Sequence, residues 1–563
     1  MLQQNKGQTH MSQNVSHRFK RTVNAVSFAI AIAVMTNITG AADNPYDVLS
    51  ASFHKRATST ALINDDNRLA PLSLQACLRI ALKNNLQLQI DGYSPAISLG
   101  EVVSAEAAFD AVMFASGSYN STDEANLLST TTDGVTTTTQ DGISTEELPA
   151  SPVSRIHEYN YQLGLRKQLP TGATIEISEN YRHYNDITNS QFRYYSPLRE
   201  FTTKIQLTQP LLRNFGIDLN RANINAARNR YQIELQDFEL SVVDTIRTIE
   251  TIYWQLWQSR LMVIIYQDLH DRVKENQRKL DKRRSFDVDI TIIKRNAALY
   301  QQAVSFLLSS KNQVSTFQDR LLVSLNDPQY LLSDKIEILP TDTASTSLQE
   351  VDRVKSLETA LMYRPEVIAQ TFKVDTSDLA VGIAKNQTLP ALNLLLSSNL
   401  NGFSRERSEA YDIKNDLDYN TYSVGIQAEI PIGNRDAKAK LSIAKKQRLQ
   451  QILNLKKTKE EITADMNISI NDLNTSHSTI KANQDATAAY ADAFNSYVQK
   501  EDANAALTAG FLNQKIDAVE RLATSQRTCT TAILNYNVAV LNFHRAQGTL
   551  LRYNNIKLAE LPK

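Results

Sequence analysis

The sequence predicts a mainly α-helical protein with a β portion, built as a tandem repeat of helix, strand, strand and long helical hairpin. Three observations carry this. The tracts Asp218–Asn326 and Asn434–Gln547 contain no proline, and Gly510 is their only glycine. Between the helical tracts, apolar and polar residues alternate with the period of two that marks a strand with unlike faces. Finally, the whole pattern recurs. Leu78, Ala81, Leu82 and Leu88 return as Leu357, Ala360, Leu361 and Val367, all at one offset in the numbering, 279. Ile205-Gln206 and Pro210-Leu211 return as Ile426-Gln427 and Pro431-Ile432, at an offset of 221. A repeat of this length implies a duplicated supersecondary unit.

Composition narrows the class. The 563 residues include 60 basic and 60 acidic side chains, so formal net charge is zero. Phosphate binding needs a basic excess or patch, which argues against nucleic acid as a partner. Only 16 Gly and 14 Pro occur, as expected of a helix-dominated chain.

The N-terminus has the features of a secretory signal over residues 1–42. His17-Arg18-Phe19-Lys20-Arg21 is basic, Ala25 to Met35 is largely apolar, and Gly40-Ala41-Ala42 offers small residues for cleavage. Residues 43–70 are polar and aperiodic, an extended leader. Elsewhere no run of 18 consecutive apolar residues occurs. A membrane crossing would therefore have to be a β-barrel.

In order, a helical pattern opens at Leu72 and continues to about Phe109. Strands are expected over about 110–210. Tyr159, Tyr161, Leu163 and Leu165 alternate with polar residues and Gly164, Leu169-Pro170-Thr171-Gly172 turns the chain, and Thr174–Ser178 returns. The Thr-rich stretch from Ser121 to Pro152 is expected to be a surface loop. A helical hairpin follows over about 218–326. Its apolar seam, Tyr231, Leu235, Phe238, Val242, Thr245, Ile249, Ile252 and Leu256, steps alternately by four and three, as in a coiled coil. Lys282-Arg283-Arg284-Ser285 is its expected break. The second copy has strands over about 391–431 and a hairpin over about 434–555, with its reversal at Gly510. The repeats thus occupy 71–345 and 346–563. The two offsets differ by 58 (279 less 221), which is extra sequence between the outer strands of the first half. It is either two further strands or an extracellular flap.

No chemistry for catalysis is apparent. The sequence contains no His-Glu-x-x-His, no phosphate-binding glycine loop and no Gly-x-Ser-x-Gly. Its eight histidines are scattered without metal spacing, and Cys77 and Cys529 are too few for a disulfide framework. No cofactor or metal is expected. Trp254 and Trp257 read as packing residues, and Lys279 to Arg284 as either a solvated basic turn or a basic patch facing a partner.

The ordered, duplicated motifs resemble the TolC-like outer-membrane efflux protein family. Leu74 to Leu88 resembles its opening helix, Leu389-Pro390-Ala391 its entry into a strand, and Leu207 to Leu212 its strand-to-helix corner. Ala509-Gly510-Phe511 through Glu520 resembles its tip turn. The resemblance implies a homotrimer with one shared transmembrane β-barrel in outer-membrane lipid and a periplasmic α-helical barrel. It also implies a periplasmic adaptor (membrane fusion) protein docked at the tip turns, and an inner-membrane transporter. Arg284, Ser285 and Phe286 in the first tip, and Ala509, Gly510 and Phe511 in the second, would then meet the adaptor. Asp517 and Glu520 would constrict the tunnel, with Lys515 or Arg521 as a latch. The first tip lacks the glycine of the second. The competing expectation is a soluble periplasmic coiled-coil scaffold or adaptor whose strands form a small β-domain.

Overall fold

A computed structural model describes residues 61–63, 68–125, 153–186, 196–283, 289–331, 336–502 and 508–557. The signal segment, the leader as far as residue 60, and Arg284, Ser285 and Phe286 lie outside them. In chain order come strand β1 (Arg68–Leu72), helices α1 (Leu74–Asn84) and α2 (Leu86–Glu106), then strands β2 (Ala111–Ala125), β3 (Val153–Gln168), β4 (Thr174–Asp186) and β5 (Leu198–Pro210). Helices α3 (Ala222–Arg283) and α4 (Ile290–Leu325) make the first hairpin, and β6 (Ile336–Pro340) closes that half. The second half runs α5 (Arg353–Tyr363), α6 (Pro365–Asn386), β7 (Ala391–Ser404), α7 (Arg407–Asn415), β8 (Tyr419–Glu429), α8 (Arg435–Asp502) and α9 (Ala509–Gln547).

The duplication is explicit. The starts of α5 and α6 follow those of α1 and α2 at the first offset read from the sequence, and the start of β8 follows that of β5 at the second. The corner between the short helices is built twice with different chemistry. Ser73 caps α1, and the Asn85 side chain then accepts from Leu88 N at 3.1 Å to open α2. In the second copy Asp352 caps α5, and Pro365, whose ring suits a first helical position, opens α6. Helices α3 and α8 have 62 and 68 residues, about 90–100 Å each at 1.5 Å per residue.

The chain forms two compact units. Met1–Ser94, Gln236–Ile368 and Thr458–Lys563 make the first. Its core joins Leu78, Ala81 and Leu82 of α1 to α3, α4 and Leu541 of α9. The α3 seam differs by one residue from the expected one. Val242, Ile249 and Leu256 are buried as predicted, but Ile246 and Tyr253 fill the alternate positions, not Thr245 and Ile252. Both sets step by four and three; the larger apolar surface wins. This unit also contains a pairing that the leader's polar sequence conceals: β1 and β6 are parallel. Glu337 of β6 and Arg260 of α3 are 0% and 1% exposed and ion-paired, and Glu337 accepts from Leu62 N at 3.0 Å and Ile63 N at 3.2 Å. The leader's end is thereby pinned.

The second unit, Pro95–Leu235 with Ala369–Lys457, holds a six-stranded antiparallel sheet in the order β2-β3-β4-β5-β7-β8. The extra residues of the first half therefore supply two strands, β3 and β4. Residues 126–152 of the Thr-rich loop lie outside the described residues, and Ser121 to Ala125 belong to β2. Register sorts the side chains by face. Met113, Leu165, Ile177 and Ile205 form one row across β2 to β5. On the opposite face Arg166, Glu176, Gln206, Ser397 and Ser423 form a row. Tyr161, Tyr181 and Phe201 stack along the apolar face, with ring centroids 6.3 and 4.7 Å apart.

Helix α7 has no counterpart in the expectation for the second half. It lies on the apolar face over Gly402, where an added Cβ would meet the Ala410 carbonyl oxygen at 2.1 Å. Lys414 is buried there and donates to Glu179 at 2.6 Å.

Candidate functional site: the tip of the helical hairpins

The residues singled out at the tip belong to the first unit. There α3 and α4 pack against α8 and α9 through Leu280, Ile293, Phe494, Leu512, Ile516 and Val519. Helix α9 begins at Ala509, capped by the Thr508 hydroxyl, which accepts from Phe511 N at 3.3 Å. Gly510, the expected point of reversal, therefore lies in the first turn of α9; residues 503–507 lie outside the described residues. Gly510 adopts helical backbone in the first turn, so its freedom to take positive φ is not used. Gly548, where α9 ends, does use it, at φ +72°. Phe511 packs edge-on against Tyr497 of α8 at 5.7 Å.

Asp517 and Glu520 share one face of α9, as their spacing requires. They differ in environment. Asp517 is half-buried and paired with Arg295 of α4, whose other amino group donates to Asn513 Oδ1 at 3.2 Å. Glu520 is exposed and forms no ion pair among the described residues.

The two cations expected as a latch lie in different surroundings. Lys515 turns away from both acids, is 8% exposed, and pairs with Glu501 of α8. Lys279 of α3 reaches the other oxygen of that carboxylate at 2.9 Å. Burial would raise the Glu501 pKa, but the hydrogen bonds from Lys515 and Lys279 outweigh it and hold the acid below the usual carboxylate range. The physical reason is geometric: Lys515 lies two residues before Asp517, on the face packed against α8. Arg521 is exposed and makes no ion pair among the described residues. The cation that meets the predicted acids is Arg295. Nothing in the local sequence marks it, because its partner comes from the other hairpin.

Behind the tip, Asn276 and Asn296 form a buried amide pair between α3 and α4 at 3.0 Å. Asn296 also donates to Gln277 Oε1 at 2.7 Å and to the Val273 carbonyl at 3.3 Å. A buried polar pair in an apolar seam fixes the register of two helices. Among the described residues no group of His, Cys, Asp and Glu could hold a metal ion. Among them, too, no helix is long and apolar enough to cross a membrane.

Residues 356–503 match the outer membrane efflux protein family. No curated protein sequence matches the chain. Solved structures share its fold. The Campylobacter jejuni CmeC outer membrane channel superposes with a TM-score of 0.57 at 14% identity, covering 94% of this chain and 96% of that one. The open state of the Neisseria gonorrhoeae MtrE outer membrane channel gives 0.58 at 14% identity, over 85% and 89%. The Vibrio cholerae outer membrane protein VceC gives 0.58 at 12% identity, over 84% and 96%. The resemblance to TolC-like channels is borne out at the level of fold: the chain is mostly helical with an antiparallel sheet, and its structural neighbours are outer-membrane channels, not enzymes.

Proposed function

We propose that this chain is the outer-membrane exit duct of an export machine, with three copies sharing one β-barrel and one helical tunnel that reaches into the periplasm. The observation that carries the proposal is the six-stranded sheet, apolar on one face and polar on the other, with both edges open among the described residues. Tyr422, Val424 and Ile426 on β8 are 75%, 75% and 71% exposed, which suits lipid and not water. Edge strands such as β2 and β8 are normally covered in proteins. Pairing β8 of one copy with β2 of the next would close eighteen strands, three times the six of one chain. Helix α2 adds a second apolar face. Leu86, Ile90, Tyr93 and Ile97, spaced four, three and four, are all more than half exposed, a coiled-coil seam suited to a neighbouring copy.

In this reading residues 1–42 are removed on secretion, and the repeats 71–345 and 346–563 each give strands to the barrel and a hairpin to the tunnel. The tip turns at Arg284, Ser285 and Phe286 and at Ala509, Gly510 and Phe511 dock a periplasmic adaptor. The adaptor is joined to an inner-membrane transporter of an efflux pump or type I secretion system. Asp517 and Glu520 constrict the entrance, and like charges gathered there favour cations over anions. Arg295 takes the latch role expected from sequence of Lys515 or Arg521. Fractionation of expressing cells tests the duct: the protein is expected in the outer membrane as trimers that survive heating in detergent. A soluble periplasmic monomer would overturn the proposal and favour the scaffold reading.

A further inference from the structure

We infer that the first unit contains a binding site for a small organic ammonium ion, centred on Glu250. This inference does not depend on the duct proposal. A cavity of about 290 Å³ lies between α3, α9 and the strap 345–349. Its size is close to the lower end of small-molecule pockets, about 300–1,000 Å³. Glu250 of α3 lines it and is 2% exposed. Asn554 donates to one carboxylate oxygen at 2.6 Å, but no described Lys or Arg pairs with the acid.

The polar wall groups on the side of the strap are already engaged. The Tyr536 hydroxyl donates to the Ser347 carbonyl at 2.5 Å, and Asn537 exchanges two 3.0 Å hydrogen bonds with the Ser345 backbone. The carboxylate is thus the one charge lining the cavity, and it lacks a counter-ion among the described residues. A buried, unpaired carboxylate is costly. Burial accordingly pushes the Glu250 pKa up to about 7, with the Asn554 hydrogen bond opposing.

The walls suit the body of such a ligand. Trp254 lies one helical turn from Glu250, with Tyr536, Val540 and Tyr553 around the same space. Aromatic faces attract cations and accept apolar groups. The chemistry selects a protonated primary amine on an aromatic or branched apolar body. Anions are repelled, and a neutral alcohol of the same shape cannot neutralise Glu250.

The test uses full-length protein as purified in detergent, titrated with phenethylamine at pH 8. Trp254, which lines the cavity, is one of only two tryptophans, so a change in emission on binding is readily seen. Calorimetry reads the same titration independently. Saturable binding is expected, weakened about tenfold or more by Glu250→Gln, as loss of a charge-assisted hydrogen bond requires. Phenylethanol is expected to bind as poorly as phenethylamine binds the variant. Val540→Phe, which fills the cavity and leaves Glu250 intact, is expected to block binding, and guards against a folding defect in the first variant. Absence of saturable binding to the unaltered protein by both methods, or equal binding by Glu250→Gln, would overturn the inference.

Discussion

Arg295 on α4 is paired with Asp517 on α9, so one side chain of the first hairpin holds the opening turns of the second hairpin's returning helix. The same guanidinium reaches Asn513, four residues earlier on the same face. An acid that the sequence presents as half of a bare constriction is thus also a tether within one chain.

In the proposed duct, breaking the tether should open the entrance without unfolding the protein. The two side chains are 45% and 39% exposed, so the pair contributes only about 0.2–1 kcal/mol. Arg295→Ala is expected to raise single-channel conductance in a planar bilayer with little change in thermal stability. The exchange of Arg295→Asp with Asp517→Arg should return conductance toward that of the unaltered protein. Asp517→Asn with Glu520→Gln should raise conductance and weaken cation preference. Unchanged conductance in that double variant would remove the constriction role.

Glu501 is a structural cross-link, and its loss should cost far more. Glu501→Ala leaves Lys515 buried without a counter-charge, which costs about 3–5 kcal/mol for a fully buried pair and somewhat less at this depth. Hydrogen exchange at the start of α9 should become faster, while exchange in the six-stranded sheet stays unchanged. The folded-state pKa is lowered, so the stabilisation is present above the usual carboxylate range and is lost as pH falls through the lowered value.

Glu337→Gln should release the leader. The substitution keeps the shape but removes the carboxylate that Arg260 meets at 1% exposure, a loss of up to about 3–5 kcal/mol. The Leu62 and Ile63 amides should then lose protection from exchange. Retained protection would mean that packing of the leader, not the carboxylate, holds it.

Glu250 and His544 make opposing contributions to pH dependence. Burial raises Glu250 from 4.5 to about 7, so the folded chain keeps a proton that the unfolded chain releases. Its stabilisation is full below 4.5 and is lost as pH rises through about 7, at most about 3 kcal/mol at 1.36 kcal/mol per pH unit. Burial lowers His544 from 6.5 to about 4, so its stabilisation is full above 6.5 and is lost as pH falls through about 4. Glu250→Gln removes the first contribution only. Melting temperature of the variant should therefore rise from pH 5 to 7 more steeply than that of the unaltered protein. Parallel profiles would show that Glu250 titrates like an exposed acid.

Some features are legible in the sequence because they are local or periodic. The fold class, the two hairpins and the offsets of 279 and 221 follow from spacing that both copies of the pattern share. The break after Arg283 follows from a basic cluster at the end of a helical tract. The seam on α3 is legible only in part. Thr245 and Ile246 satisfy the same step, and only the packed partner decides between them. Gly510 misleads for a similar reason: a glycine near a reversal is a weak marker when a threonine two residues earlier can cap the helix.

The alternation that makes the sheet two-faced and the helical runs that make long hairpins are set by the order of residues alone. Both are one-dimensional patterns, governed by the two-residue and 3.6-residue periods of the backbone. Which charges meet is settled only by packing. Arg295 finds Asp517, Lys279 and Lys515 share Glu501, and Glu337 takes Arg260, each from a different helix or strand. Packing also brings β3 and β4 into the sheet, lays β1 beside β6, and covers Gly402 with α7. Side-chain charge is written in the sequence, but its partner is chosen by how the elements pack, and no local period encodes that choice.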